Sequence, residues 1–147
     1  MTTIMLEDYP IKLTLPVLWA DQDAFGHVNN TACIRWFECA RVKYLEQIGV
    51  GSMFTPDNIG PILAQVTCNY RKQLNYPDTV TIGAKVARMG NSSMTMTHAV
   101  WSDASQAIAA DGESVVVAFN YHLQKTVRVP DSLRTAIAQL EARPDFL

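Results

Sequence analysis

The residues best equipped for chemistry stand together in "DQDAFGHVNN", Asp21 to Asn30, immediately before the longest amphipathic run of the chain. A helix that begins there presents unpaired backbone N–H groups and the positive end of its dipole. Such an end attracts anions and stabilises an oxyanion that develops during attack on a carbonyl. Gly26 lets the backbone turn tightly and come close to a ligand. A carboxylate a few residues upstream then faces the same carbonyl, as nucleophile or as general base for water. One acid, one tight turn and one helix start occur here in order. The same Asp and Asn residues also suit turns and an N-cap with no catalysis at all, so spacing by itself leaves both readings open.

The elements that must hold this loop can be read from periodicity. "IKLTLPVLW" alternates apolar and polar residues, and it predicts a strand ending near Trp19. From Thr31 to Ile48 a helical stripe of Cys33, Phe37, Ala40, Tyr44 and Ile48 recurs, widened by Trp36 and Leu45. Asn29 or Asn30 supplies the N-cap and Gly49 the stop, with Arg35, Glu38, Arg41 and Lys43 expected on the outer side. "GPILAQVTCNYRKQLNY" reads as a long strand closed by the turn "NYPDT". "VTIGAKVARM", "MTMTHAVW" and "SVVVAFNYHL" read as three more, the last two joined around "SDASQAIAADGE". "DSLRTAIAQLEA" after Pro130 reads as a short closing helix. Strand, long helix, four strands and a short helix make an α+β fold, one antiparallel sheet packed on one dominant helix. No internal repeat or linker interrupts it, and residues 1–147 are expected to form one domain.

Composition narrows the function further. Of 147 residues, 48% are apolar and 18% charged, a balance that supports a packed core and excludes wholesale disorder. A net charge of −2 argues against a nucleic-acid binder. No basic-then-apolar leader opens "MTTIMLEDYPIKLTL", and no run has the length of a membrane span. Cys33, Cys39 and Cys68 form no C-x-x-C pair, which suggests reduced thiols and a cytoplasmic protein. No G-x-S-x-G or P-loop occurs, and His27, His98 and His122 are too scattered to suggest a metal site. Glu38 and Arg41 stand three apart on the helix and read as a surface or inter-subunit ion pair.

"DQDAFGHVNN" followed by "WFECAR" closely resembles the hotdog-fold acyl-CoA thioesterases of the 4-hydroxybenzoyl-CoA thioesterase type. "VTCNYRKQLNYPDTVTI", "ARMGNSSMTM" and "RVPDSLRTAI" are similar to later parts of that family, so the resemblance spans almost the whole chain. It implies an antiparallel sheet wrapped around one central helix, and hydrolysis of acyl-CoA to free acid and CoA. It further implies that no metal or redox cofactor takes part, CoA being part of the substrate. By the same resemblance Asp23 is the catalytic carboxylate, and the backbone N–H of Asn30 polarises the thioester carbonyl. Gly26, His27 and Asn29 belong to the substrate loop, and Arg88 and Ser93 are candidates for binding CoA near Asn91 and Ser92. Other hotdog branches place the catalytic acid on the helix, which keeps Glu38 in view. The resemblance further implies a homodimer or homotetramer, with the acyl group entering between helix and sheet. An acyl-carrier-protein thioesterase and a non-catalytic acyl-CoA-binding protein are the alternatives; the first would be favoured by a contiguous basic face, the second by loss of the acid.

Overall fold

The computed structural model describes residues 3–50 and 57–147. Strand β1 (Ile11–Pro16) leads through a 3-10 turn (Trp19–Asp21) into helix α1 (Asn30–Gln47). Strands β2 (Ile59–Tyr70), β3 (Thr79–Met89), β4 (Ser93–Ser102) and β5 (Ala107–Asn120) follow, then a two-residue strand β6 (Lys125–Thr126) and helix α2 (Asp131–Glu141). The sheet is antiparallel in the order β1-β3-β4-β5-β2, with β6 on β5. Because β1 and β2 lie at opposite edges, α1 has to cross the whole sheet to connect them. This is the curled sheet and central helix of the hotdog fold.

The apolar stripe of α1 explains that crossing. Ala32, Cys33, Trp36, Phe37, Ala40, Tyr44, Leu45 and Ile48 are buried, and they meet Val80, Ile82, Ala84 and Val86 of β3 and Met94, Met96 and Val100 of β4. Fully burying one such side chain is worth about 1.5–3 kcal/mol, so this face holds helix to sheet. The end of α1 is also tied by polar contacts. Tyr44 Oη donates to the Glu141 carboxylate at 2.6 Å, and the same carboxylate accepts the Val86 N–H at 2.8 Å, joining α1, α2 and β3. One expectation about the helix fails. Arg41 does not face outward but is buried, its guanidinium 3.2 Å from Ser114 Oγ and only loosely paired with Glu38 at 3.8 Å.

Three strands depart most from the bounds read in the sequence, and β5 also ends at Asn120 rather than Leu123. β1 stops at Pro16, because the next polar residue Asp21 accepts the Leu18 N–H at 2.7 Å and bends residues 18–21 into a turn. β2 stops at Tyr70 rather than running to Tyr76. Beyond it, the N–H groups of Arg71 and Lys72 both donate to the Ala109 carbonyl, so the ladder cannot continue. β5 begins seven residues earlier than Ser114, taking in Ala110, Asp111 and Gly112. "ADG" has turn composition, yet tertiary contacts override it. Asp111 is buried and held by Arg71 Nε at 2.7 Å and Asn69 Nδ2 at 2.9 Å. A side chain at Gly112 would overlap the Thr67 carbonyl oxygen and stand 2.8 Å from Phe37, so only glycine lets β2, β5 and α1 approach here.

Candidate active site

The loop between β1 and α1 is a tight, self-bonded turn. Gln22 and Val28 form an isolated antiparallel bridge, the Asp23 N–H donates to the His27 carbonyl at 2.8 Å, and the Gly26 N–H donates back to Asp23 at 3.1 Å. Gly26 sits at φ 82°, the left-handed conformation that favours glycine. Asp23 Oδ1 accepts the Phe25 N–H at 2.9 Å, which fixes the carboxylate. Its Oδ2 has no hydrogen-bond partner among the described residues, and it is the oxygen left to take a proton or attack.

Asn29 is the N-cap, its side chain accepting the Thr31 N–H at 3.0 Å, and Asn30 opens the helix. Among the described residues the Asn30 N–H has no acceptor, as expected for a first-turn donor. Asp21 supports from behind: its carbonyl accepts the Asn29 N–H at 2.8 Å, and its buried carboxylate pairs with Arg35. Both oxygens of the Asp21 carboxylate are thus engaged, one by Arg35 and the other by the Leu18 N–H. His27 Nδ1 lies 2.9 Å from Asn75 Oδ1, and the Val28 N–H donates to Leu74 at 2.8 Å, so the loop is stitched to the segment after β2.

These groups share one cavity of about 300 Å³. Asp23, His27, Asn29 and Asn30 line it together with Cys33, Tyr70, Arg71 and Lys72. Tyr70 went unread in the sequence, where it is one aromatic in a strand. In the fold its hydroxyl donates to the Asn30 carbonyl at 2.8 Å and fastens the first helical residue to β2. Burial, with Cys68 contributing, pushes the Cys33 thiol up to about 12, so Cys33 is a neutral wall of the cavity rather than a nucleophile. Gly26 shapes the loop without lining the cavity. Arg88 and Ser93 are not brought to it within the chain. Arg88 is exposed on β3, 3.7 Å from Glu113, and Ser93 opens β4, its carbonyl accepting the Gly90 N–H at 2.8 Å. Glu38 is exposed and lines neither this cavity nor the apolar one at the far end of α1.

An acid with one unengaged oxygen therefore shares a cavity with a helix N-terminus that offers an unengaged N–H. Residues 17–137 match the family model of the thioesterase-like superfamily. The chain belongs to that superfamily. Its activity is hydrolysis of a thioester. The long-chain acyl-CoA thioesterase FadM of Escherichia coli (strain K12) is 24% identical over 118 residues, covering 80% of this chain and 89% of FadM. The PA2801 protein of Pseudomonas aeruginosa is 31% identical over 88% of this chain and 99% of its own, with a TM-score of 0.79. A thioesterase of Thermus thermophilus, solved in complex with coenzyme A and Zn, is 28% identical over 94% of this chain and 98% of its own, with a TM-score of 0.83.

Proposed function

We propose that the protein hydrolyses acyl-CoA thioesters to free acid and CoA, with Asp23 as the catalytic carboxylate. The observation that carries this reading is the shared cavity of Asp23 and the Asn30 N–H. In the proposed reaction the thioester carbonyl oxygen accepts the Asn30 N–H, and the helix dipole stabilises the charge that develops on it. Asp23 Oδ2 either takes a proton from the attacking water or attacks the carbonyl carbon itself. When water attacks, the CoA thiolate leaves and the carboxylic acid forms directly; when Asp23 attacks, the CoA thiolate leaves an acyl–Asp23 anhydride, which water then hydrolyses to the carboxylic acid and the free Asp23 carboxylate. The proposed steps use only the chain's own groups and water, and CoA is part of the substrate. Gly26, His27 and Asn29 hold the loop in place: Gly26 by its φ, Asn29 by the cap, His27 through Asn75.

An acid in the loop before α1, with Glu38 outside the cavity, supports the 4-hydroxybenzoyl-CoA thioesterase type within the superfamily. The bound coenzyme A of the Thermus thermophilus protein and the name of FadM support CoA as the carrier. Lys72, exposed at the rim, and Arg71, shared with Asp111, are the cations nearest the cavity for its phosphates. Arg88 and Ser93 serve CoA in this proposal only from a neighbouring chain. We further propose a homodimer, or a homotetramer of two dimers. Support comes from β2: from residue 60 to 70 its outer edge pairs with no strand among the described residues, and Ile62 and Leu63 are exposed on it. No helix among the described residues is long and apolar enough to cross a membrane, and sparse thiols support a cytoplasmic location.

The test is free-thiol release from acetyl-, octanoyl-, palmitoyl- and benzoyl-CoA by wild type and Asp23→Asn. Wild type should turn over at least one class, and the variant should lose about 10²–10⁴ in kcat. Near-normal turnover by a folded Asp23→Asn protein would overturn the assignment.

A further inference from the structure

The direction of the Asn30 N–H is set by the two peptides that flank it. The Asn29 carbonyl accepts the Ala32 N–H at 2.9 Å, which holds the peptide carrying the Asn30 N–H. The Asn29 side chain accepts the Thr31 N–H at 3.0 Å, which holds the next peptide at its nitrogen end. Both bonds lie within the cap and first turn, so they aim the N–H relative to α1 and not relative to the sheet. The ties to Leu74 and Asn75 hold Val28 and His27, earlier in the loop and beyond the end of β2. Apolar packing presses α1 onto the sheet, but it has no direction of its own.

Tyr70 supplies the missing tie. It is the last residue of β2, and its hydroxyl donates to the Asn30 carbonyl at 2.8 Å. The Asn30–Thr31 peptide is thereby held at both ends by side chains, Asn29 at the nitrogen and Tyr70 at the oxygen. Residues two apart on a strand share a face. Cys68 accordingly comes beside Cys33, three residues after Asn30, while Tyr70 reaches Asn30 itself. Tyr70 also lines the cavity that holds Asp23.

We infer that Tyr70 is a positioning residue of the thioesterase: by gripping the Asn30 carbonyl from β2, its hydroxyl sets where the Asn30 N–H meets the developing oxyanion. The inference rests on the thioesterase reading above. An oxyanion donor works within a narrow range of distance, and a misplacement of about 1 Å costs on the order of 10²-fold. The neutral carbonyl of the bound substrate makes a weaker bond to the same N–H, so misplacement lowers turnover more than binding. The grip needs the phenol proton. Burial, with the Cys68 thiol beside it, pushes Tyr70 up to about 12, and the hydroxyl stays a donor across the assay range.

The test uses thiol release from the acyl-CoA that wild type turns over best. Tyr70→Phe keeps the ring and removes only the donor. Its kcat should fall about tenfold, less than the roughly 10²–10³ lost with a whole oxyanion donor, and its KM should change by less than about twofold. Tyr70→3,5-difluorotyrosine, installed by amber suppression, keeps the shape and lowers the phenol pKa, which covers a failure of the phenylalanine variant to fold. It should match wild type at low pH and lose kcat as pH rises, an alkaline limb that wild type lacks at that pH. A tyrosine that only packs would give neither result. A folded Tyr70→Phe protein with kcat within about twofold of wild type overturns the inference, as does a loss carried by KM. A difluorotyrosine variant that follows the wild-type pH profile overturns it too. With wild type active and Asp23→Asn inactive, those outcomes sink this inference alone. A wild type inactive on every acyl-CoA sinks the thioesterase reading and this inference with it.

Discussion

Two polar clusters lie against α1, and they differ in what their atoms have left to offer. At the helix start, Asp23 Oδ2 and the Asn30 N–H face a cavity unengaged. At mid-helix, Arg41, Ser114 and His98 spend their polar atoms mostly on one another. Arg41 donates to Ser114 Oγ at 3.2 Å, and that hydroxyl lies 2.9 Å from His98 Nε2. With Arg41 donating to it, the hydroxyl keeps its own proton and a second lone pair, so it can pair with either tautomer of a neutral imidazole. Burial, and then the positive charge of Arg41, pull His98 down to about 4. The ring is fully buried and stacked on Phe37 at 4.9 Å, and the Gly83 backbone beside it opposes the shift. The most perturbed histidine of the chain thus sits where no substrate comes. A shifted pKa marks a desolvated group, and only access with unspent hydrogen-bonding capacity marks a reactive one.

That contrast can be broken by experiment. The largest effect expected is the drop of about 10²–10⁴ in kcat for Asp23→Asn, with little loss of stability. His98→Gln should show the reverse, a normal kcat per folded molecule and an altered stability profile. Equal losses of kcat in both variants would erase the distinction between the clusters. The second effect is in pH. His98 is held below its ordinary value, so its contribution is fully present above about pH 6.5. It is lost as pH falls toward 4, because the unfolded chain takes up the proton first. Urea unfolding of wild type should therefore lose on the order of 3 kcal/mol across that window, and His98→Gln should flatten the dependence. Third, Arg41→Met should cost about 1–3 kcal/mol by leaving the Ser114 hydroxyl short of a donor, with kcat kept. The smallest effect belongs to the site loop. Asn29→Ala removes the cap of α1 and should cost about 1 kcal/mol, read as a lower Tm. A raised KM should accompany it, since the same residue orients the Asn30 N–H.

The site loop was legible because its chemistry is local. Acid, glycine and helix start lie within ten residues: Gly26 turns the loop, Asn29 caps the helix, and Asp23 and Asn30 line one cavity. The order of elements was legible for the same reason, since periods of 2 and 3.6 are local. What stayed hidden depends on contacts far along the chain. Arg41 reads as an outward residue of a helix, and only Ser114, 73 positions later, draws it inward. Tyr70 gains its role from Asn30, 40 positions earlier. Ala110, Asp111 and Gly112 have turn composition, and they become strand because Arg71, Asn69 and the need for close approach compel it. Arg88 and Ser93, drawn from resemblance, remain apart from Asp23 within one chain.

Gly112 has a wider consequence for anyone who reshapes this protein. Even a methyl group at that point must push β2 away from β5 or lift α1 off the sheet. Either displacement moves Tyr70, and with it the peptide that Tyr70 clamps. Libraries that vary the cavity walls can range widely in size and polarity. Position 112 is the gauge block to which those walls are cut, and a selection for activity should return a single letter there.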